Sequence, residues 1–508
     1  MAFELGIFGD GELDPGFVEW LVDERWGDIR NHFGKFWDYY HNRSEPLSAS
    51  SASAAGESGR PYVQAQECGL PSRITGNMAM SPSTFGGCHP SGARRKEVVI
   101  ENDITWRVNA LVDFLFGKEI QIVSKAADGG KRAEIEAILK ALYANNGGIG
   151  FFQDMAVLGS VYGFVDCVVR AGDINPQDKL GGLRADLKSA PTLDDVLEAV
   201  SHISLELIEA PRALPVLDEN DYKKINYYVQ HFYQQKNQVT AKGSFLGRLF
   251  RKSSGFEREA VEVTEIIGRD AWQRYENREL IAEGMLPWGF LPVVHIQNVS
   301  QPYYYEGQSD IEQLIPLQDE LNTRLSDRAS RITFQSFKMY LAKGLEGAGE
   351  KSISPGRMWC TDNPEAHIEE FGGDAASPSE DLHIAEIREA MDKASGVTPV
   401  VAGVLKSKLG NLTSAVALRV VMSGTLSKTE RKRFTYGEGL KQICRMVLQM
   451  LDTAGLYKTT KQEREVEILF PCPLPENTME KLQEAQIKKE LGVSQQQVLR
   501  ELGYDAAI

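Results

Sequence analysis

In this 508-residue chain, the stretch nearest to a recognised chemical motif is Gly344–Ser352, GLEGAGEKS. A phosphate-binding loop requires GxxxxGK followed by Ser or Thr, so that backbone N–H groups cradle the phosphates and the lysine reaches the β and γ oxygens. Here Glu350 stands between Gly349 and Lys351, putting a carboxylate where a phosphate would sit. The residues before it read as a helix, whereas the motif needs a strand, so the segment is expected to be a turn. No GxSxG, HExxH or GxGxxG occurs. The eight histidines are dispersed, and the six cysteines contain no CxxC pair. Cys88-His89 follows Cys68 by twenty residues, but two further ligands at zinc spacing are missing. Acid pairs such as Asp194-Asp195 read as first-turn charges favoured by the helix dipole. These residues predict no catalytic set, no cofactor and no metal, so the chain is not expected to be an enzyme.

Three other features could bind rather than react. Lys428 to Arg433, KTERKR, is a dense basic run on a helical pattern; its simplest reading is a solvated face with i,i+4 pairing, and its functional reading is contact with an acidic neighbour or nucleic acid. The PYYYEG cluster at 302–307 could stack bases, although core or interface packing is the simpler reading. Gly403 to Ser414, GVLKSKLGNLTS, sets two lysines between glycines and joins an acid-rich helix to a long one. Taken alone, it reads as a helix–helix connector.

The elements that would position these residues can be read from periodicity. Residues 1–43 form an aromatic segment in which Phe17, Trp20, Leu21, Trp26 and Ile29 suggest one amphipathic helix or two short ones. Residues 44–96 turn rich in Ser, Ala, Gly and Pro and read as an insertion that buries little. Order resumes with a helix whose face is Ile104, Val108, Leu111, Val112 and Leu115, with Gly117 as its stop. A mixed α+β region of alternating strands follows. After it comes a helix with Leu314, Leu317, Leu321 and Leu325 at three- and four-residue steps, in which Ser309 and Glu312 form a candidate capping box. A second helix carries the stripe Ile384, Ile387, Met391 and Ala394, with Glu380, Asp381, Glu386, Glu389 and Asp392 mostly off it. A 40-residue helical pattern starts near Thr413. The fold class is therefore α+β and rich in helix. With 42% apolar residues, core burial is not limiting. The net charge of −15 argues against wholesale adsorption to DNA or anionic lipid. No run of about 18 apolar residues and no basic n-region predict neither a membrane span nor a signal peptide, and the scattered thiols suit a reducing compartment.

The order of these elements resembles the portal, or head–tail connector, proteins of tailed bacteriophages, particularly the siphophage type. The resemblance is carried by NDITWRVNALVDFLFGKEIQI, GFLPVVHIQN, GQSDIEQLIPLQDELNTRLSDRASRI, ASGVTPVVAGV with GNLTSAVALRV, and PENTMEKLQEAQIKKELGVSQQQVLRELG. Together they span most of residues 97–508. It implies a portal fold with a mixed α/β wing at 97–318, a stem helix at 319–343, a clip at 344–379 and a second stem helix at 380–395. A tunnel loop at 396–412, a long wing helix at 413–456 and a C-terminal strand with a short helical crown at 457–508 would complete it. The insertion at 44–96 departs from the pattern. The implied function is a homo-oligomeric ring, dodecameric in the virion, at one capsid vertex. Such a ring conducts double-stranded DNA during packaging and ejection, and docks the terminase large subunit, the major capsid protein and scaffold, and the head–tail adaptor. Its place would be the virion, with assembly in the host cytoplasm. Val404, Lys406, Ser407, Lys408 and Asn411 would face DNA, with Gly403 and Gly410 as hinges. Glu380, Asp381, Glu386, Glu389 and Asp392 would form the acidic stem lining. The alternatives are another virion structural protein, such as a capsid or baseplate component, or a nucleotide-binding enzyme using Gly344–Ser352.

Overall fold

A computed structural model describes residues 3–9, 13–41, 44–45, 63–64, 99–171, 191–239, 256–335, 339–343, 363–371, 378–402, 419–474 and 478–501. The chain divides into two compact units. One comprises Met1–Gly34, Val108–Ser309 and Asn411–Ile508, the other Lys35–Arg107 and Asp310–Gly410.

In the first unit, helix α1 (Pro15–Trp20) runs through a π-helical turn, Leu21–Arg25, into α2 (Trp26–His41). The buried residues of the first turns are Val18, Leu21 and Val22, whereas Phe17 and Trp20 are exposed and stack on each other. Of the expected face, Leu21 is buried and Trp26 and Ile29 pack against the same core, while Phe17 and Trp20 give way to Val18 and Val22; the π-turn falls after Trp20, between Leu21 and Trp26. Phe3, Leu5, Phe8 and Leu13 join that stripe against Leu214, Val229, Ile266, Ala271 and Tyr275. At ~1.5–3 kcal/mol for each large apolar side chain buried, this arm is held firmly.

The short pair β1 (Ser44–Glu45) and β2 (Val63–Gln64) comes next in the chain, then α3 (Asp103–Phe116), β3 (Gln121–Ser124), α4 (Gly129–Asn145) and α5 (Ile149–Tyr162). All five residues of the expected α3 stripe are buried. α5 passes through Gly163 into β4 (Phe164–Ala171). Gly163 has φ +94°, and a Cβ there would overlap the carbonyl of Gly307, so both backbone sign and space demand glycine. Then follow α6 (Leu193–Ser201), β5 (Ile203–Ile208), β6 (Ala213–Leu217), β7 (Ile225–Val239), β8 (Phe256–Ile267), β9 (Ala271–Glu276), β10 (Glu279–Met285) and β11 (Val293–Gln297). Strands β6 to β10 form an antiparallel meander in sequence order, and β11-β4-β5 a second antiparallel sheet. Thr192 caps α6 with Asp195 in a capping box, so Asp194 and Asp195 are helix-start charges as their position predicts. The backbone and side-chain bonds from Thr192 hold the Asp195 carboxyl below its ordinary range.

The second unit is built on α7 (Ile315–Gln335), β12 (Met339–Lys343), β13 (His367–Phe371) and α8 (Pro378–Ser395). α7 starts through a 3-10 turn at Glu312–Leu314 with Ile311 at the N-cap position, and Pro316 falls in its first turn, where no intrahelical N–H is needed. Ser309 donates to the Val161 carbonyl at 2.7 Å within the first unit. The helix read through residue 343 ends at Gln335: Met339–Lys343 is a strand, paired antiparallel with His367–Phe371 from Met339↔Phe371 to Lys343↔His367. The buried stripe of α8 is Ile384, Ile387, Met391 and Ser395, with Ser395 in place of the expected Ala394.

Back in the first unit, α9 (Ser423–Thr453) carries a stripe of Thr425, Thr429, Lys432, Tyr436, Leu440, Ile443 and Val447 into the core. β14 (Val466–Leu469) pairs with β3, and α10 (Thr478–Glu490) and α11 (Gln495–Glu501) close the chain. No helix among the described residues is long and apolar enough to cross a membrane.

Candidate functional site

The α7–α8 pair gathers the stem residues singled out by sequence. Its apolar seam sets Leu314, Leu321 and Leu325 with Ile384, Ile387 and Met391, all buried. The adjoining face of α7 is polar yet equally buried: Gln318, Asn322 and Ser326 are fully covered. They stand one helical turn apart and bond the backbone of residues 99–103. Gln318 Oε1 accepts from the Asp103 N–H at 3.1 Å, and its amide donates to the Glu101 carbonyl. Asn322 Oδ1 accepts from the Glu101 N–H at 3.0 Å, and Ser326 Oγ from the Val99 N–H at 2.9 Å. Four helical residues rise ~6 Å, close to the ~6.7 Å of two residues of extended chain. The periods match, so a row of helical side chains acts as the neighbouring strand.

The other end of that segment is also tied down. Asn102 Nδ2 donates to the Tyr40 carbonyl at 3.1 Å, Thr105 Oγ1 donates to the same oxygen, and Tyr39 donates to Asp319 at 2.6 Å.

The five acids expected to line a stem are not equivalent. Asp392 has a side chain 14% exposed and bonds Arg107 at 2.6 Å, whose own side chain is 3% exposed. Arg107 also lies 3.5 Å from Asp103 and packs over Trp106. Asp392 is therefore a half-buried structural partner, because a guanidinium as covered as that of Arg107 requires a carboxylate. Asp381 pairs with Arg328 at 2.9 Å, and Glu101 with Arg388 at 2.6 Å. Glu380 is half-buried. Glu386 and Glu389 are well exposed, on the side of α8 away from its buried stripe, with Leu382 and Lys393; Lys393 pairs with Glu389 at 2.8 Å. Gly403, Val404, Lys406, Ser407, Lys408, Gly410 and Asn411 lie outside the described residues, as does Gly344–Ser352. The chain before Gly344 is a strand and not the expected helix, but it belongs to an antiparallel two-stranded ribbon, and the inserted Glu350 still separates Gly349 from Lys351.

The basic run is split by burial. Lys432, 1% exposed, donates to Ser160 Oγ at 2.9 Å. Arg433 bonds Glu430 at 2.8 Å and the Pro471 carbonyl at 2.6 Å, while Arg431 is exposed. A wholly solvated face was expected. The correction follows from spacing, since Lys432 falls three residues after Thr429 and four before Tyr436, on the inward stripe. The tyrosine cluster divides likewise: Tyr303 and Tyr304 are 83% and 58% exposed, whereas Tyr305 is buried.

Sequence reading missed the polar centre under Tyr305. Asp166, fully buried on β4, accepts from Tyr228 at 2.8 Å and from Tyr305 at 2.9 Å, and His295 Nδ1 lies 2.6 Å from it. Beside it, Arg170 forks onto Glu265 with two bonds of 2.7 Å and reaches Glu206 at 2.6 Å. A lone acid inside the apolar run FVDCVV is the signal that could have found this centre. Burial, then the charges of Asp166 and Glu206, push the Cys167 thiol well up, so it has no nucleophilic character near neutral pH.

Comparison with known proteins brings in the following. Residues 192–503 match the family described as "Phage portal protein, SPP1 Gp6-like". Among solved structures, a chain of the "Virion of native gene transfer agent (GTA) particle" is 12% identical, with TM-score 0.39, over 78% of this chain and 89% of that one. A chain of the "Neck of empty GTA particle computed with C6 symmetry" is 11% identical, with TM-score 0.42, over 79% and 90%. Comparison with curated proteins gave no match.

Proposed function

Since the chain belongs to the SPP1 Gp6-like phage portal proteins, we propose that it forms a ring, of twelve copies in the virion, through which double-stranded DNA enters and leaves the capsid. The family match over residues 192–503 carries this reading. The role is structural and not enzymatic. In this reading α7 and α8 are the two stem helices and the β12–β13 ribbon belongs to the clip. The tunnel loop lies within 396–412, α9 is the long wing helix, and α10 and α11 form the crown. The terminase large subunit, the major capsid protein and scaffold, and the head–tail adaptor would dock on the ring, which would assemble in the host cytoplasm.

Electrostatics supports a conduit over a clamp. Twelve copies at −15 would carry about −180, whereas duplex DNA holds one negative charge per ~1.7 Å and binds tightly where several Lys or Arg neutralise its phosphates. An acidic wall repels the duplex and lets it slide. On α8 the exposed acids that would serve this wall are Glu386 and Glu389, with Asp381 at the margin; Asp392 is taken up by Arg107. Lys406 and Lys408 would give weak, reversible contacts.

Electron microscopy or native mass measurement of the purified protein tests the ring: a closed assembly of about twelve copies is expected, and a strict monomer at high concentration and in the virion would refute it. Deleting Val404–Leu409 is expected to leave rings intact and to reduce DNA packaging or retention. Loss of rings with a folded monomer would make the loop a subunit contact instead.

A further inference from the structure

Tyr303 and Tyr304 are displayed on a stiff loop. At 83% and 58% exposed they leave more aromatic surface in water than a folded chain usually does. Behind them the loop is closed by side chains at the end of β11. Gln297 donates to the carbonyls of Tyr304 and Tyr305 at 3.0 Å each, and Asn298 donates to that of Gln308 at 3.0 Å. Tyr305 is buried, its ring 3.8 Å from that of His295 and its hydroxyl on Asp166. Tyr303 takes φ +68°, a conformation that an aromatic residue holds only where its surroundings impose it. Tyr222, in the turn between β6 and β7, stands 6.4 Å from Tyr303, centroid to centroid. Rings fixed in this way lose little entropy when a partner covers them. Beside them Glu306 is exposed and forms no ion pair among the described residues.

The complementary set lies on α9. Arg431 and Phe434 are three residues apart and share a helical face. Phe434 is 71% exposed, and Arg431 is exposed with no ion pair among the described residues. The neighbouring cations are already committed, Lys432 to Ser160 and Arg433 to Glu430 and the Pro471 carbonyl. A planar guanidinium stacks on tyrosine faces and forks onto a carboxylate. One part of the chain thus offers aromatic rings with a carboxylate at their side, and another offers a guanidinium with an aromatic ring. Two different patches that fit each other make a head-to-tail contact, the kind that closes into a ring. Base stacking fits the tyrosines less well. The charges around them are Glu306, Glu219 and Asp221 against Lys223, with Lys224 tied to Asp218 at 2.6 Å, a negative balance that repels phosphates.

We propose that Tyr303, Tyr304 and Glu306 of one copy receive Arg431 and Phe434 of the next, so that neighbouring copies are joined by a guanidinium held against tyrosine rings and a carboxylate. Both patches belong to the first unit. The contact rests on the ring reading above and names the surfaces that would join its copies.

Charge reversal in the full-length protein tests the contact, read by native mass measurement and negative-stain microscopy over a dilution series. Arg431→Glu and Glu306→Arg, each alone, set like charges against each other and should raise the concentration at which rings form at least about tenfold. An equal mixture of the two should form rings close to the wild-type concentration. Glu306 of an Arg431→Glu copy then meets Arg431 of a Glu306→Arg copy, and the reversed pair meets at the next joint. Neither misfolding nor a purely internal role produces that recovery. Tyr303→Ala with Tyr304→Ala should weaken the rings in the same direction. Should a charge variant misfold, mixed Glu306→Cys and Arg431→Cys copies give a second reading: a disulfide mapped between those positions of two copies supports the contact, and its absence from assembled rings overturns it. Rings at the wild-type concentration in both charge variants overturn the contact and leave the ring reading standing, as does loss of DNA retention alone in the double tyrosine variant. A wild-type chain that forms no ring overturns both.

Discussion

Replacing Asn322 with alanine tests the row of helical side chains that takes the place of a strand. Asn322 Oδ1 accepts from two donors, the Glu101 N–H and Gln318 Nε2, each at 3.0 Å. Asn322 and Gln318 are fully buried, so truncation leaves a backbone N–H and a side-chain amide hydrogen without this acceptor. Leaving buried donors unpaired costs about 2–3 kcal/mol, which equals a rise of roughly 30- to 160-fold in the opening equilibrium. Exchange of the Glu101 amide, followed by mass spectrometry or NMR, should accelerate by that factor, with Asp103 and Val99 changing less because Gln318 and Ser326 still hold them. Ser326→Ala removes one acceptor from Val99 and should act in the same direction, by about 1 kcal/mol. A Glu101 amide that exchanges at the wild-type rate in Asn322→Ala would refute the reasoning, since it would mean that the backbone of 99–103 finds other partners without cost.

Other perturbations have equally defined outcomes. His231, buried with Nδ1 2.8 Å from Thr264 Oγ1, is pushed down to about 4 by burial and then by Arg278. The unfolded chain takes up that proton near 6.5, so stability should be full above pH 6.5 and fall by up to about 3 kcal/mol as pH drops through 4; denaturation midpoints against pH should show the slope, and His231→Gln should flatten it. Asp392→Ala, which strips Arg107 of its 2.6 Å partner, should cost about 3 kcal/mol in chemical denaturation. The exposed Glu389→Ala should stay within about 0.5 kcal/mol. Gly163→Ala should lose more than about 2 kcal/mol, through the positive φ and the overlap with Gly307.

The helices and strands were legible where burial acts on one face at a time. The α3 stripe, the α8 stripe up to Met391 and the alternation of β7 and β8 are local patterns, and folding keeps them. Of the N-terminal aromatics, Trp26 packs on the core as its spacing predicts, while Phe17 and Trp20 stay exposed beside the smaller Val18 and Val22, which take the inward positions. Gln318, Asn322 and Ser326 look like an ordinary solvated face, since their partner segment lies more than two hundred residues earlier. For the same reason Asp392 reads as one more surface acid until Arg107 is brought to it. Lys432 was readable in principle: its spacing from Thr429 and Tyr436 places it inward, but charge is usually taken to outweigh spacing. Phage portal membership was legible from the order of segments, which no single residue carries.

The Tyr40 carbonyl, bridged to Asn102 and Thr105, has a consequence for how this architecture can change. The polypeptide departs and re-enters through one doorway a single hydrogen bond wide. Growth between His41 and Val99 leaves the bonds of Val99 and Glu101 to α7 and α8 in place. A reporter domain or affinity handle grafted at this point would ride on the particle as a passenger, leaving the scaffold's own joints untouched.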